Sequence, residues 1–400
     1  MASLVDVCRF NPTLGGTTDW TYSTAVTGYQ SPTAAGVVNG ATYNYRAESS
    51  DLSQWEVGFG TYNTGTGVLT RTTVLFNSVG TTAKISFSAA PQVAIVALAE
   101  DLRVFPAPQG RLTLQTAEPV MAVNRSAKTT VYYTPYVGSL IPLYDGANMV
   151  PTAFSEISVA TTDTAKNPAA IGASKVNDWF VWNDAGALRL THGPDWTNDT
   201  TRSAGSALTM VNGIYLNNAA ITNGPAASRG TYVGTTRSNS SSQLDWIVGG
   251  AGAAAFLYVW NAYNQVMTAV SVSDNAASWT YASATIRATN NGVLNRVSFV
   301  SGLALHGISA NNQVLIRPAA AVSAVGEIGI ALDGTAASDK QSRATNPTSS
   351  TMDLSASSAF TYAPQLGAHF VAGTENSDGT NTATYFGSSG RAFLTFSTMM

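Results

Sequence analysis

A single cysteine, Cys8, in 400 residues excludes an intrachain disulfide and any cysteine-built metal cage. The three histidines (His192, His306, His369) lie far apart in the chain, which argues against a zinc site, and no metal is expected. Charge is scarce too: 11 % of residues are charged, against an average of about 25 %. The net charge is −3 with no basic cluster, so the patch that neutralises phosphates is missing and nucleic acid is discounted as a partner. No run of about 18 apolar residues occurs, so no membrane-spanning helix and no membrane insertion are expected. The N-terminal stretch MASLVDVCRFNP lacks a basic region and a long apolar core, so no secretory signal is expected. The Gly-x-Ser-x-Gly elbow, the Walker and dinucleotide loops and the EF-hand loop are all absent from the sequence. No catalytic residue and no cofactor are therefore expected.

What replaces charge is Ser, Thr, Asn, Gly and Ala, with 44 % hydrophobic residues, so the chain has the means to bury cores. Thr and the aromatics favour strands, and Asn and Gly favour turns. Seven pairs suited to type I′ hairpins punctuate the chain: Asn39-Gly40, Asp145-Gly146, Asn212-Gly213, Asn223-Gly224, Asn291-Gly292, Asp333-Gly334 and Asp378-Gly379. Long 3.6-residue periodicity is nearly absent; Pro168–Lys175 has room for two helical turns, and Ala153–Ala160 reads as a short helix or a strand. The expected class is all-β: several domains of short antiparallel strands, β-sandwich or jelly-roll-like, with very little helix.

Residues 1–104 form a self-contained strand set: Thr18–Val26, Ala41–Arg46, Trp55–Tyr62, Val68–Phe76, Ile85–Phe87 and Val93–Leu98. A proline-rich linker is expected at 105–110, a central β module over 111–270 and a C-terminal β-sandwich over 271–400. In the central module, alternation within Val131–Gly138 (VYYTPYVG) sends Tyr132 and Tyr133 to opposite faces. One of the two rings then lies outside its own sheet's core, free to cover a partner subunit.

Candidate chemistry is thin. Asp178 and Asp184 flank the aromatic run Trp179-Phe180-Val181-Trp182, and Asp195 and Asp199 flank Trp196. Indole faces stack on sugar faces and carboxylates accept from sugar hydroxyls, so Trp179, Trp182, Asp184 and Trp196 are the candidate glycan-binding residues. Asp178 and Asp184 would be the carboxyl pair of a glycan hydrolase, which needs a separation of about 5–5.5 or 6.5–9.5 Å. The competing reading is structural: Asn183-Asp184-Ala185-Gly186 is a hairpin turn with Asp184 bonding its own backbone, and the indoles pack in cores. His192, at a strand end before Gly193-Pro194, reads as structural, and Cys8 as a small buried hydrophobe.

Several stretches resemble modules of tailed-bacteriophage virion proteins, in particular of fibre and spike-like appendages of phages and prophages of alphaproteobacteria. In residues 19–100 these are Thr27-Gly28-Tyr29-Gln30-Ser31, Trp55-Glu56-Val57-Gly58-Phe59-Gly60-Thr61-Tyr62 and Leu69-Thr70-Arg71-Thr72-Thr73-Val74. In residues 110–268 they are Gly110-Arg111-Leu112-Thr113-Leu114, Val131–Gly138, Leu143-Tyr144-Asp145-Gly146, Phe180-Val181-Trp182-Asn183, Gly230-Thr231-Tyr232-Val233-Gly234-Thr235 and Val259–Val266 (VWNAYNQV). Residues 271–400 look like a β-sandwich that sometimes follows. The resemblance implies a non-enzymatic virion protein, a homotrimeric or otherwise symmetric fibre, spike or collar appendage assembled in the host cytoplasm and released by lysis. Its N-terminal domain would bind other virion proteins and its C-terminal part would meet host surface polysaccharide. Two alternatives stand beside this expectation: a tailspike glycan depolymerase, and a capsid or neck decoration without a receptor.

Overall fold

The computed structural model describes residues 4–99, 107–388 and 390–400. The chain is all-β, and its described residues form sheets that are antiparallel except where Ala255–Leu257 runs parallel to Arg296–Ser301, with two three-residue 3-10 turns, Ala204–Ser206 and Thr289–Asn291. It divides into two compact units, Met1–Val104 and Phe105–Met400.

In the first unit seven strands make one sheet, in the order Thr42–Glu48, Gln92–Ile95, Cys8–Pro12, Trp20–Ala25, Val68–Leu69, Trp55–Asn63, Thr73–Asn77. Thr42–Glu48 also pairs with Trp55–Asn63, so the sheet closes on itself and hides most of its edges. Strict alternation along Trp55–Asn63 turns Glu56, Gly58, Gly60 and Tyr62 inward. Glycine is required at position 60 because a Cβ there would lie 1.6 Å from the Thr70 carbonyl oxygen. That close approach carries Arg71 into the core, where it meets Glu56; both side chains are fully buried. The Arg71 Nε donates to Glu56 Oε1 at 2.9 Å, Tyr45 donates to the same oxygen at 2.8 Å, and the Ile85 amide donates to Oε2 at 2.7 Å. Arg71 also reaches the carbonyls of Gly16, Thr18 and Ile85 and covers the Trp20 ring at 4.7 Å. A buried ion pair survives desolvation only when its remaining donors and acceptors are met, and these are. Two of the stretches that carry the resemblance thus meet at one internal pair.

The expected strand Val68–Phe76 is broken at Thr70–Thr72, where Arg71 turns inward. The expected strand Ile85–Phe87 is extended chain held by a lone bridge from Gly16 to Phe87. Cys8–Pro12 is a strand that the sequence reading missed; Cys8 packs in the core, and burial pushes its thiol up to about 11.

The second unit is continuous across the boundary expected at 270/271. That point falls inside the strand Met267–Val272, which pairs residue for residue with Ala392–Met399. An eight-stranded sheet likewise mixes both halves, running Lys340–Thr345, Val325–Leu332, Gly367–Ser377, Arg296–Ser301, Ala255–Leu257, Leu244–Ile247, Arg125–Lys128, with Arg287–Ala288 added on Gly367–Ser377. A six-stranded sheet packs against it through Val314, Ile316, Ile328, Ala344, Ala356 and Tyr385. One hydrophobic core extends from Leu112 to Met400. The expected separate domains 111–270 and 271–400 are therefore one body. The expected linker 105–110 lies partly outside the described residues. Its far end is tied down rather than free, since Asn264 donates to the carbonyls of Pro108 (2.6 Å) and Gly110 (3.1 Å).

Local readings fare unevenly. Asn212-Gly213 has positive φ at both residues and joins Leu208–Val211 to Ile214–Asn217, as a two-residue hairpin requires. Pro168–Lys175 is turns and bends without helix, and Ala153–Ala160 holds the last residue of the strand Met149–Ala153 and the whole of the strand Ile157–Ala160. Tyr133 points inward, is 1 % exposed and stacks on Phe154; Tyr132 on the opposite face is half-buried.

Candidate functional site

The strand Val176–Asp184 decides the fate of the candidate sugar residues. Its first six residues are all buried, because Ala187–His192 and Thr231–Arg237 flank it and other elements cover both faces. Trp179 is fully buried and donates its indole N–H to Thr236 Oγ1 at 2.8 Å. Trp196 is 3 % exposed and donates to Asp178 at 3.1 Å. Neither indole offers a face to a ligand, so two of the four candidate glycan contacts are core residues.

Asp178 sits at the centre of this knot. Arg202 grips it through Nε at 2.8 Å and Nη2 at 3.1 Å, and Thr235 adds a bond at 2.6 Å. Arg202 lies on the Trp196 ring at 4.4 Å and also donates to the Gly302 carbonyl at 2.6 Å. Full burial pushes the Asp178 carboxyl up, and the Arg202 charge and these donors oppose that rise. Asp184 lies six residues on along the same strand, roughly 20 Å at the usual rise. The two carboxyls cannot flank one glycosidic bond, so this pair does not make a hydrolase site.

The strand leaves the core at Trp182. That indole is half-buried and donates to Thr191 Oγ1 at 2.7 Å, with the Lys166 ammonium 6.0 Å from its ring centre. Asp184 pairs with Lys166 at 2.7 Å and Arg189 at 3.5 Å, which hold its carboxyl below the usual range. It does not bond its own backbone as a turn residue; Asn183 does that, accepting from the Gly186 amide at 2.6 Å. Only Trp182 and Asp184 of the candidate set remain at the surface. His192 is a packed residue, 2 % exposed, with both ring nitrogens beside the carbonyls of Gly193 and Ala169, and burial lowers its pKa.

An open groove of about 770 Å³ lies elsewhere, on the six-stranded sheet. Four of its strands, Met267–Val272, Ala392–Met399, Ile308–Arg317 and Leu354–Tyr362, stand side by side. Their register lines up outward residues in rows. One row is Ala269, Ser397, Ser309, Thr361; the next is Ser271, Thr395, Asn311, Ala359. The hydroxyls are partly organised: Ser309 and Thr361 bond at 3.3 Å, and Ser357 donates to Asn311 Oδ1 at 2.9 Å. Lys340 and Phe360 also line the groove. Small hydroxyl side chains keep the floor low, and each leaves spare donor or acceptor capacity toward solvent. The signal for this face was present as hydroxyls two apart, in Thr395/Ser397 and Ser355/Ser357. It is recognisable only once the strands are placed in register.

No known family profile and no curated protein matches the chain. Among solved structures, dimeric latent PorU from Porphyromonas gingivalis is 10 % identical with a TM-score of 0.22; the match covers 58 % of this chain and 20 % of that one. A glycoside hydrolase family 43 arabinoxylan arabinofuranohydrolase from Bacillus subtilis is 10 % identical with a TM-score of 0.19, covering 94 % and 85 %. The Bacillus thuringiensis delta-endotoxin Cry8Ea1 is 8 % identical with a TM-score of 0.18, covering 73 % and 52 %. The chain thus spans about a fifth of PorU and about half of the endotoxin. Likeness at this level carries no functional argument.

Proposed function

We propose that this protein is a non-enzymatic structural component of a bacteriophage virion that contacts host surface polysaccharide. The hydroxyl and amide rows of the open groove carry this reading. Polysaccharides present dense neutral hydroxyls, and a flat face of Ser, Thr and Asn matches them without charge. The low charge of the whole chain and the resemblance of its two longest motif sets to phage appendage modules point the same way. In this proposal unit 1 joins the particle, unit 2 faces the host, and the protein assembles as a symmetric homo-oligomer, a trimer by the resemblance. The depolymerase alternative loses its one named carboxyl pair to the separation of Asp178 and Asp184.

The test uses phage carrying Asn311→Arg, which fills the groove from an outward position. Mass spectrometry of purified virions should find the protein in normal amount, electron microscopy should place unit 1 against the particle, and adsorption should slow by about tenfold or more. Virions without the protein would overturn the proposal. Normal adsorption by the variant would leave a decoration role without a receptor.

A further inference from the structure

A second cavity in unit 2, of about 570 Å³, has a different chemistry. Its floor is built by register: Phe256, Ser298 and Phe370 stand in one row across the neighbouring strands Ala255–Leu257, Arg296–Ser301 and Gly367–Ser377. Tyr258 follows Phe256 on the same face, with their rings 5.6 Å apart. The rim carries two carboxylates. Asp199 is held by a two-pronged contact from Arg237, at 3.1 and 3.0 Å. Asp333 lies 2.6 Å from the His369 ring nitrogen.

One cation in this cavity lacks a counterpart. The Arg296 side chain makes no hydrogen bond or ion pair among the described residues. Its Nε is buried without a partner, and its guanidinium lies 4.1 Å from the centre of the Phe370 ring. In the same unit Arg202, Arg237, Arg287, Arg317 and Arg343 each meet a carboxylate. Burial already works against the Arg296 charge and lowers its pKa. A planar guanidinium fixed against an aromatic ring is set to take a carboxylate edge-on through two N–H groups. The half-buried Phe256 and Phe370 supply apolar surface to a sugar ring, and the half-exposed Asp199 and Asp333 keep lone pairs for hydroxyl donors.

We propose that this cavity binds an acidic sugar, with the ligand carboxylate on Arg296 and its hydroxyls on the rim carboxylates. The inference rests on the polysaccharide-contact reading and narrows it to glycans that contain uronate-type residues. A neutral sugar would leave Arg296 unmet. A ligand with a carboxylate but no hydroxyls would leave the rim unused.

The experiment is calorimetric titration of the full chain with trigalacturonate and with its methyl ester. The ester keeps the rings and ring hydroxyls but loses the charge. The acid should bind about tenfold or more tightly than the ester. Arg296→Gln should bring the acid to the level of the ester, and Arg296→Lys should restore part of the preference. Equal binding of acid and ester by the unaltered chain overturns the inference, and needs no variant to fold. So does an undiminished preference in a folded Arg296→Gln chain. The two readings fail separately: equal acid and ester binding, with Asn311→Arg phage still slow to adsorb, ends this one alone. Preference for the acid in a protein absent from virions ends the attachment reading instead.

Discussion

Glu56 and Arg71 show how much a single pair of side chains carries in the first unit. Glu56→Gln removes the buried carboxylate that pairs with Arg71 and leaves its guanidinium without that partner. The expected loss is about 3–5 kcal/mol, read as a fall of more than about 10 °C in the melting of unit 1 with the unit 2 transition in place. His369 acts through pH. Burial alone would lower its pKa, but the bonds to Asp333 and the Leu366 carbonyl, with the Asp333 charge, raise it above 6.5. A raised folded value means stabilisation that is complete below pH 6.5 and lost as pH climbs through the folded pKa. His192 is lowered by burial, so its contribution is present above pH 6.5 and lost on acidification. In His369→Gln the alkaline loss should vanish from unit 2 melting curves taken between about pH 6 and about pH 8, while the acidic loss stays. At this scale the sequence was half legible. Cys8 and Tyr133 sit where apolar character and alternation put them. Trp179 and Trp196 are core residues, as the competing structural reading had it, but their covering partners, Thr236, Asp178 and Arg202, come from other elements and left no mark beside them.

Among the elements of unit 2, a tight join lies where the loop after Arg296–Ser301 meets the strand Thr231–Arg237. At Gly302 an added Cβ would fall 1.9 Å from the Tyr232 hydroxyl and 2.3 Å from Thr235 Oγ1. Tyr232 is fully buried and cannot swing away. Gly302→Ala should therefore cost about 3 kcal/mol or more, visible as a lower melting temperature of unit 2 alone. The strand Val325–Leu332 was well marked, as an apolar run ending at the turn pair Asp333-Gly334, and Ala392–Met399 by its alternation. They were misread where an internal charge bent the chain, as at Arg71. The groove rows were written in the sequence as alternating hydroxyls, but a row needs four strands in register, and no single stretch contains it.

At the scale of the whole molecule, the false boundary at 270/271 has a simple cause. Composition changes there, but pairing does not: Met267–Val272 takes its partner from residues 392–399, more than a hundred positions away. Long-range pairing leaves no local mark. The strand Ala392–Met399 is also internal to its sheet, lying between Met267–Val272 and Ile308–Arg317. A chain ending at residue 391 should lose unit 2 and keep unit 1. Limited proteolysis should then protect a fragment close to residues 1–104 and digest the remainder.

That placement has a bearing on synthesis. Unit 1 has every strand it needs once about a quarter of the polypeptide has left the ribosome, whereas unit 2 stays open until position 399 has emerged. Translation halted anywhere in between yields a molecule whose unit 2 segment is exposed to cellular proteases. The topology thus makes unit 2 wait for its last-made strand, so a chain stopped short of that strand carries a folded unit 1 alone.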